Sequence, residues 1–250
     1  MVEFTTDTFY NGDISLRQER WGYRFSLDAV LLASHVHPKP PDRVLDLGTG
    51  CGVIPLLLAV KNPEALFYGV EVQKELAELA VWNASHNNLG DRLKILCCDL
   101  KELNQNLIGT PVDIILSNPP YRRLDSGRIN PNPQRAMARH EIMTSLPEIT
   151  KAAKRLLKVS GVLAMIYPAN RITDLLCHMR EQDIEPKWMR LVHSFAGDPP
   201  KLVLVKGVKG AGPDVTMAPP LVVYEKEKVY TREVMNMFGN PKTACSSPDR

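Results

Sequence analysis

The sequence predicts an α/β protein built on a mostly parallel, seven-stranded sheet, with an antiparallel hairpin at one edge and helices on both faces. Three observations carry this. From Arg43 onward, short β-branched or apolar runs alternate with stretches of helical periodicity, the pattern of βαβ units. The runs are short and continuously apolar, as strands covered on both faces are. After the fifth run come two more, joined by a loop too short for a crossover helix, so these two run antiparallel.

Before the sheet, ISLRQERWGYRFS reads as a short extended or hairpin segment, and SLDAVLLASHV as a helix with Ser26 as its N-cap. The five parallel strands are RVLDL, LFYGVEV, LKILCC, VDIILS and GVLAMIY, each bounded by turn residues. Helical periodicity fills Cys51 to Lys61, Gln73 to Asn88, Leu146 to Lys158 and Arg171 to Gln182, and Leu103 to Thr110 is a polar loop or one helical turn. KWMRLVHSF and KLVLVKGV, linked through Gly197 and the Pro199-Pro200 pair, form the edge hairpin. LVVYEKEKVYT is expected to be an extended pair, and NPKTACSSPDR a disordered tail.

Composition narrows the class without naming a function. The chain has 250 residues, 44% apolar and 24% charged, which suits one domain with a core of its own. A net charge of +3 is too small to identify a polyanionic partner, so the distribution of charge has to decide. The five cysteines, Cys51, Cys97, Cys98, Cys177 and Cys245, include no C-x-x-C spacing, and neither a zinc site nor a disulfide framework is indicated. Cys97 and Cys98 read as buried strand residues. The N-terminus has no basic region followed by an apolar core, and the longest apolar stretch, VIPLLLAV, is far short of a membrane span. A soluble, cytoplasmic protein without a metal is the expectation.

Chemistry collects where strands end. DLGTGCG, Asp46 to Gly52, follows the first strand and opens a helix; glycines at 48, 50 and 52 let the backbone turn sharply and approach a ligand closely. The dinucleotide fingerprint needs glycine at position 53, where this chain has Val53. The G-x-G-x-G spacing resembles instead motif I of class I methyltransferases that use S-adenosylmethionine. Glu71 ends the second strand, where a carboxylate can accept from both hydroxyls of a ribose, a sugar that nicotinamide cofactors and S-adenosylmethionine share. On the methyltransferase reading, Asp99 in CCDL accepts from the adenine amino group, with Val72 and Leu100 as apolar plates on the ring faces.

The fourth strand runs into Asn118-Pro119-Pro120-Tyr121. An aromatic or amide nitrogen is a poor nucleophile because its lone pair is delocalised. Two acceptors on its N–H groups draw it toward a tetrahedral shape with the lone pair free. The Asn118 side-chain oxygen and the Pro119 carbonyl supply those acceptors, the two prolines stiffen the loop, and Tyr121 would stack on the base. From Arg122 to Arg139 there follow five arginines (Arg122, Arg123, Arg128, Arg135, Arg139) against one acid, Asp125, a local charge of +4 suited to RNA phosphates. Lys151, Lys154, Arg155 and Lys158 share one helix face and read as solvated surface.

The series DLGTGCG, Glu71, Asp99, NPPY resembles the N6-adenine and N5-glutamine class I methyltransferases, which have a Rossmann-like fold. With WGYRFSLDAVLLASHV upstream and QRAMARHEI downstream, the chain is similar to the tRNA adenine-N6 methyltransferases that act at position 37 of a valine tRNA. That resemblance implies S-adenosylmethionine as cofactor, held by Asp46, Gly48, Thr49, Gly50, Cys51, Gly52, Glu71, Val72, Asp99, Leu100 and Asn118, with Arg24, Phe25 and Asp28 as an upstream lid. It divides the chain into a 1–40 extension of short strands plus a helix, a 41–238 methyltransferase domain and a 239–250 tail, and implies tRNA as partner. A glutamine N5-methyltransferase acting on a release factor shares the NPPY chemistry but carries a sizeable helical domain ahead of the catalytic one, whereas about forty residues precede Arg43 here. The motifs are also compatible with a ribosomal RNA guanine-N2 methyltransferase and with a catalytically inactive RNA-binding module.

Overall fold

The computed structural model of the chain describes residues 3–21, 26–109, 111–119 and 145–239. Arg24, Phe25, Pro120, Tyr121, Arg122, Arg123, Arg128, Arg135, Arg139 and nearly all of the expected tail lie outside the described residues.

The chain opens with β1 (Phe4–Phe9) and β2 (Ile14–Glu19), an antiparallel hairpin paired from Phe4↔Glu19 to Phe9↔Ile14. β1 escapes a reading by periodicity because FTTDTF is polar between its two phenylalanines and buries a single side chain, Phe9. Ile14, Leu16 and Gln18 point inward from β2. Helix α1 (Leu27–Ser34) follows, with Ser26 as its N-cap residue in extended backbone, as expected, although its hydroxyl makes no capping bond to a backbone N–H of the first turn.

The main sheet consists of β3 (Arg43–Leu47), β4 (Leu66–Glu71), β5 (Leu93–Cys97), β6 (Val112–Ser117), β7 (Leu157–Pro168), β8 (Ile184–His193) and β9 (Pro200–Lys209). Their spatial order is β8-β9-β7-β6-β3-β4-β5. β3 to β7 run parallel, and β9 lies antiparallel between β7 and β8. Two short strands, β10 (Thr216–Met217) and β11 (Leu221–Val222), add in parallel to the outer edge of β8. Among the described residues the sheet thus holds the seven expected strands and these two short additions, whose two-residue pairings leave no hydrophobic period to read. A separate pair, β12 (Tyr224–Lys226) and β13 (Val229–Tyr230), precedes a last helix too short to show a period of its own.

Helices α2 (Val53–Lys61), α3 (Lys74–His86), α4 (Gln105–Ile108), α5 (Leu146–Leu156), α6 (Ile172–Glu181) and α7 (Arg232–Met237) cover both faces. One apolar cluster joins the β1–β2 hairpin, α1, α2 and α7 to one face of the sheet; the other joins α4, α5 and α6 to the opposite face. α2 is buried almost all round because it lies centrally, with Leu56, Leu57 and Leu58 nearly inaccessible. Each such side chain contributes roughly 1.5–3 kcal/mol by leaving water.

α5 starts on a capping box: Ser145 Oγ accepts from the Glu148 backbone N–H, and Glu148 Oε2 accepts from the Ser145 N–H at 2.8 Å. The helix stops at Leu156, so Lys158 belongs to β7 and pairs with Asp113. Arg155 is exposed, as expected of a solvated face, and its Nη2 also donates to the carbonyls of Leu100 at 2.8 Å and Leu103 at 3.0 Å. Lys209 Nζ reaches the Lys154 and Leu157 carbonyls and satisfies the end of α5.

The cysteines need a second correction. Cys97 is exposed and Cys98 half-buried, because β5 is the sheet's terminal strand and presents an open flank. Cys51 is buried, and burial pushes its thiol up to about 12. Among the described residues no helix is long and apolar enough to cross a membrane.

Candidate functional site

Register brings the strand ends together. Asp46 on β3 lies between Gly69 on β4 and Leu116 on β6, so the residues that follow all three strands emerge at one end of the sheet. β3, β4 and β6 are neighbours there, with β5 next beyond β4. This is the crevice at the carboxyl ends of a doubly wound sheet.

The glycine loop is held rigidly over that end. Gly48, Gly50 and Gly52 adopt φ of 77°, 56° and 86°, the left-handed region that an L side chain rarely enters. The backbone N–H groups of Gly48 and Thr49 both donate to the Val70 carbonyl at 2.9 Å, and the Gly50 N–H donates to Glu71 Oε2 at 2.9 Å. A Cβ at Gly48 would meet nothing within 4 Å, so the loop presents open space on its outer side.

Two residues outside the expected site make this seat possible. Gly69, inside β4, is one: a Cβ there would lie 2.8 Å from Thr49 Cγ2 and 2.9 Å from Ile95 Cδ1, so only glycine lets the loop settle on the strand. An interior strand glycine is the signal that could have found it. Asn83 on α3 is the other: fully buried, it donates from Nδ2 to the Cys51 carbonyl at 2.9 Å and to the Arg17 carbonyl at 3.0 Å, and its Oδ1 accepts from the Arg17 N–H at 2.8 Å. One amide thereby links the loop, α3 and β2.

Glu71 is buried, and each of its oxygens already holds one backbone N–H, Gly50 on Oε2 and Gln73 on Oε1, both at 2.9 Å. That excludes a merely solvated strand-end acid and leaves lone pairs on both oxygens for further donors. Asp46 is only 1% exposed, and neither of its oxygens has a hydrogen-bond partner among the described residues. Burial raises its carboxyl to about 7, and the negative charge of Glu71 adds to the rise. The Thr49 hydroxyl pulls the other way, although the two groups fall short of a formed hydrogen bond. Thr49 Oγ1 is likewise buried and unpartnered among the described residues.

Asp99 lies two residues past β5, exposed; its Oδ1 accepts from the Lys101 N–H at 2.8 Å, so it forms the turn as well as flanking the crevice. Val72 is exposed beside Glu71, whereas Leu100 packs into the second apolar cluster. Ser117 Oγ donates to the Leu47 carbonyl at 3.0 Å, tying the end of β6 to the end of β3. Asn118, half-buried, and Pro119, buried, therefore emerge beside Gly48. Asp28 lies in the first turn of α1, which packs on α2; burial raises its carboxyl, against a smaller pull from Ser26.

The structure thus collects Asp46, the 48–52 loop, Glu71, Asn118 and Pro119 at one end of three adjacent strands. A buried acid whose oxygens are unpartnered, a positive-φ loop open on its outer side and a second carboxylate with spare lone pairs fit a ligand bearing a cationic amino group and a ribose. Among the described residues no group of His, Cys, Asp and Glu is arranged to hold a metal ion.

Comparison with known proteins shows the family. A family model described as a methyltransferase domain matches residues 38–204. A tRNA1(Val) (adenine(37)-N6)-methyltransferase of Porphyromonas gingivalis is 33% identical over 205 residues, spanning 80% of this chain and 80% of that protein. One from Aeromonas hydrophila is 29% identical, over 77% of this chain and 79% of its own length. Among solved structures, a predicted O-methyltransferase of Agrobacterium tumefaciens superposes with a TM-score of 0.68 at 20% identity, covering 84% of this chain and 94% of that one; it shows the shared fold.

Proposed function

The chain belongs to the tRNA1(Val) (adenine(37)-N6)-methyltransferase family, and on that premise we propose that it methylates the exocyclic N6 of the adenine at position 37 of a tRNA, next to the anticodon. It is an S-adenosylmethionine-dependent enzyme; bound at the glycine loop, that cofactor supplies an electrophilic sulfonium methyl group. Residues 41–238 would form the methyltransferase domain, on which residues 1–40 pack, and a tRNA substrate implies the cytoplasm.

The observation that carries the reading is the Ser117 to Leu47 bond, because it holds Asn118 beside the loop that Glu71 clamps. Asp46, Gly48, Thr49, Gly50, Cys51 and Gly52 would hold the methionine end, and Glu71 the ribose hydroxyls. Asp99, with Val72 and Leu100, would hold the adenine of the cofactor. Arg24, Phe25 and Asp28 would cover the site.

For the target base, the Asn118 side-chain oxygen and the Pro119 carbonyl would each accept one N–H of the amino group. This pulls the nitrogen out of conjugation and aims its lone pair, while Pro120 stiffens the clamp and Tyr121 stacks on the ring. Positioning supplies most of the acceleration, and after transfer the methylated nitrogen releases one of its protons to water. A base in an anticodon loop is already partly unstacked, which lowers the cost of bringing it in. Arg122, Arg123, Arg128, Arg135 and Arg139 would meet phosphates of the same RNA.

Incubation with tritiated S-adenosylmethionine and separate counting of RNA and protein tests the reading. Label in tRNA, mapped to N6-methyladenosine at position 37, is the expected result; label in protein alone overturns it in favour of glutamine methylation.

A further inference from the structure

On the outer side of the β1–β2 hairpin, aromatic rings and guanidinium groups interleave. The Arg17 guanidinium carbon lies 3.7 Å from the Phe4 ring centroid and 4.9 Å from that of Trp82. Trp82 in turn stacks on His86, with centroids 4.5 Å apart and planes 13° from parallel. Past the end of β2, Arg20 lies 5.4 Å from the Trp21 ring. These are large side chains left in water: Trp21 is 69% exposed, Phe4 39% and Trp82 38%. Contiguous exposed apolar surface is a mark of interaction sites.

Register gives the row a direction. α3 begins at Lys74, three residues after Glu71, so its N-terminus lies at the crevice and its C-terminus away from it. Asn87 bonds the backbone of Ser15, and one turn nearer the crevice Asn83 bonds that of Arg17. β2 therefore runs toward the crevice. Arg20 and Trp21 stand closest to the site, Phe4, Arg17 and Trp82 come next, and His86 lies farthest. The buried Asn83 amide holds the Arg17 backbone from behind, and the guanidinium lies against both the Phe4 and Trp82 rings.

We infer that this row, Trp21, Arg20, Phe4, Arg17, Trp82 and His86, is a second RNA-contact surface, on which nucleotides neighbouring the target base stack and are neutralised. The inference rests on the reading of the site as a tRNA methyltransferase. Unpaired bases stack on aromatic faces and on guanidinium planes, and arginine also meets the phosphates between them. Arg17 makes no ion pair among the described residues. Arg20 pairs with Glu3 at 3.2 Å, but both side chains are more than half exposed, and an exposed pair contributes so little that a phosphate can replace it.

The test compares wild type, Trp21→Ala, Trp82→Ala, their double variant and Trp82→Phe. Each is titrated with a tRNA1(Val) transcript and with S-adenosylmethionine, and assayed for transfer at saturating RNA. Each alanine variant is expected to bind the transcript about tenfold more weakly, the size of one lost base–aromatic stack, and Trp82→Phe to recover most of that. Cofactor affinity and the saturated rate should stay at wild-type values, which a general loss of folding would not allow. A double variant with full transcript affinity overturns the inference and points the row toward a protein partner. If wild type transfers no methyl group to the transcript, the proposed function fails on its own, while the affinities still decide the fate of the row.

Discussion

Glu71 and Gly50 are joined by a 2.9 Å hydrogen bond from the Gly50 backbone N–H to Glu71 Oε2, so the acid at the end of β4 fastens the loop at the end of β3. Its other oxygen holds the Gln73 N–H that leads into α3. Glu71→Gln keeps the volume but turns one acceptor into a donor facing a buried N–H. Hydrogen bonds to a charged group are worth about 1.5–3 kcal/mol, so cofactor affinity should fall at least about tenfold. Calorimetric titration with S-adenosylmethionine or its demethylated product reads this directly, and an unchanged Kd removes Glu71 from the cofactor site.

Asn118 is assigned to the target amine rather than to the cofactor's affinity. In Asn118→Ala the single-turnover transfer rate should drop by about 10²–10³, the usual cost of one lost transition-state hydrogen bond, while cofactor binding persists. Equal losses in both measurements would assign the residue to shaping the loop.

Gly69→Ala tests the close approach beneath the loop. The added methyl would press on Thr49 Cγ2 and Ile95 Cδ1 at 2.8 and 2.9 Å. Overpacking of this kind costs roughly 1–3 kcal/mol, visible as a lower thermal midpoint together with weaker cofactor binding. Adding Thr49→Ser deletes Cγ2 and should recover part of both losses; additive effects in the double variant would separate the two positions.

Asp46 makes the stability of the ligand-free protein depend on pH. Its folded value of about 7 stands above the ordinary 3.8 of an aspartate. Between about pH 4 and 7 the folded chain keeps a proton that the unfolded chain has released. Stability therefore falls as pH rises through that window and levels off above it. Glu71, the facing charge, steepens the effect. Asp46→Asn removes the titration, so its thermal midpoint relative to wild type should climb from pH 5 to pH 8. Parallel curves for the two proteins would show that Asp46 is ionised throughout.

The run from Arg122 to Arg139 predicts a salt dependence. If its five arginines meet phosphates, the logarithm of tRNA affinity falls linearly with that of salt concentration, and neutralising one arginine flattens the slope by about 0.9. An unaltered slope would make that arginine a solvated one.

By itself the sequence determined the order of the parallel strands and helices, the antiparallel return of β8 and β9, and the cluster at the strand ends. Each of these is written locally, as an apolar period, a glycine spacing or an acid closing a strand. Tertiary structure alone decided what those local signals leave open. Asn83 became a bridge among the loop, α3 and β2 because its amide meets backbone groups 32 and 66 residues away in the chain. Arg155, though exposed, found the Leu100 and Leu103 carbonyls as acceptors, and Cys97 turned outward because β5 ends the sheet. Gly69 and Thr49 show the same limit: an interior strand glycine is visible in sequence, but the side chain that requires it is found only once β3 and β4 lie side by side. Periodicity records which way a residue faces within its own element, whereas the partner it meets is set by packing between elements distant in sequence.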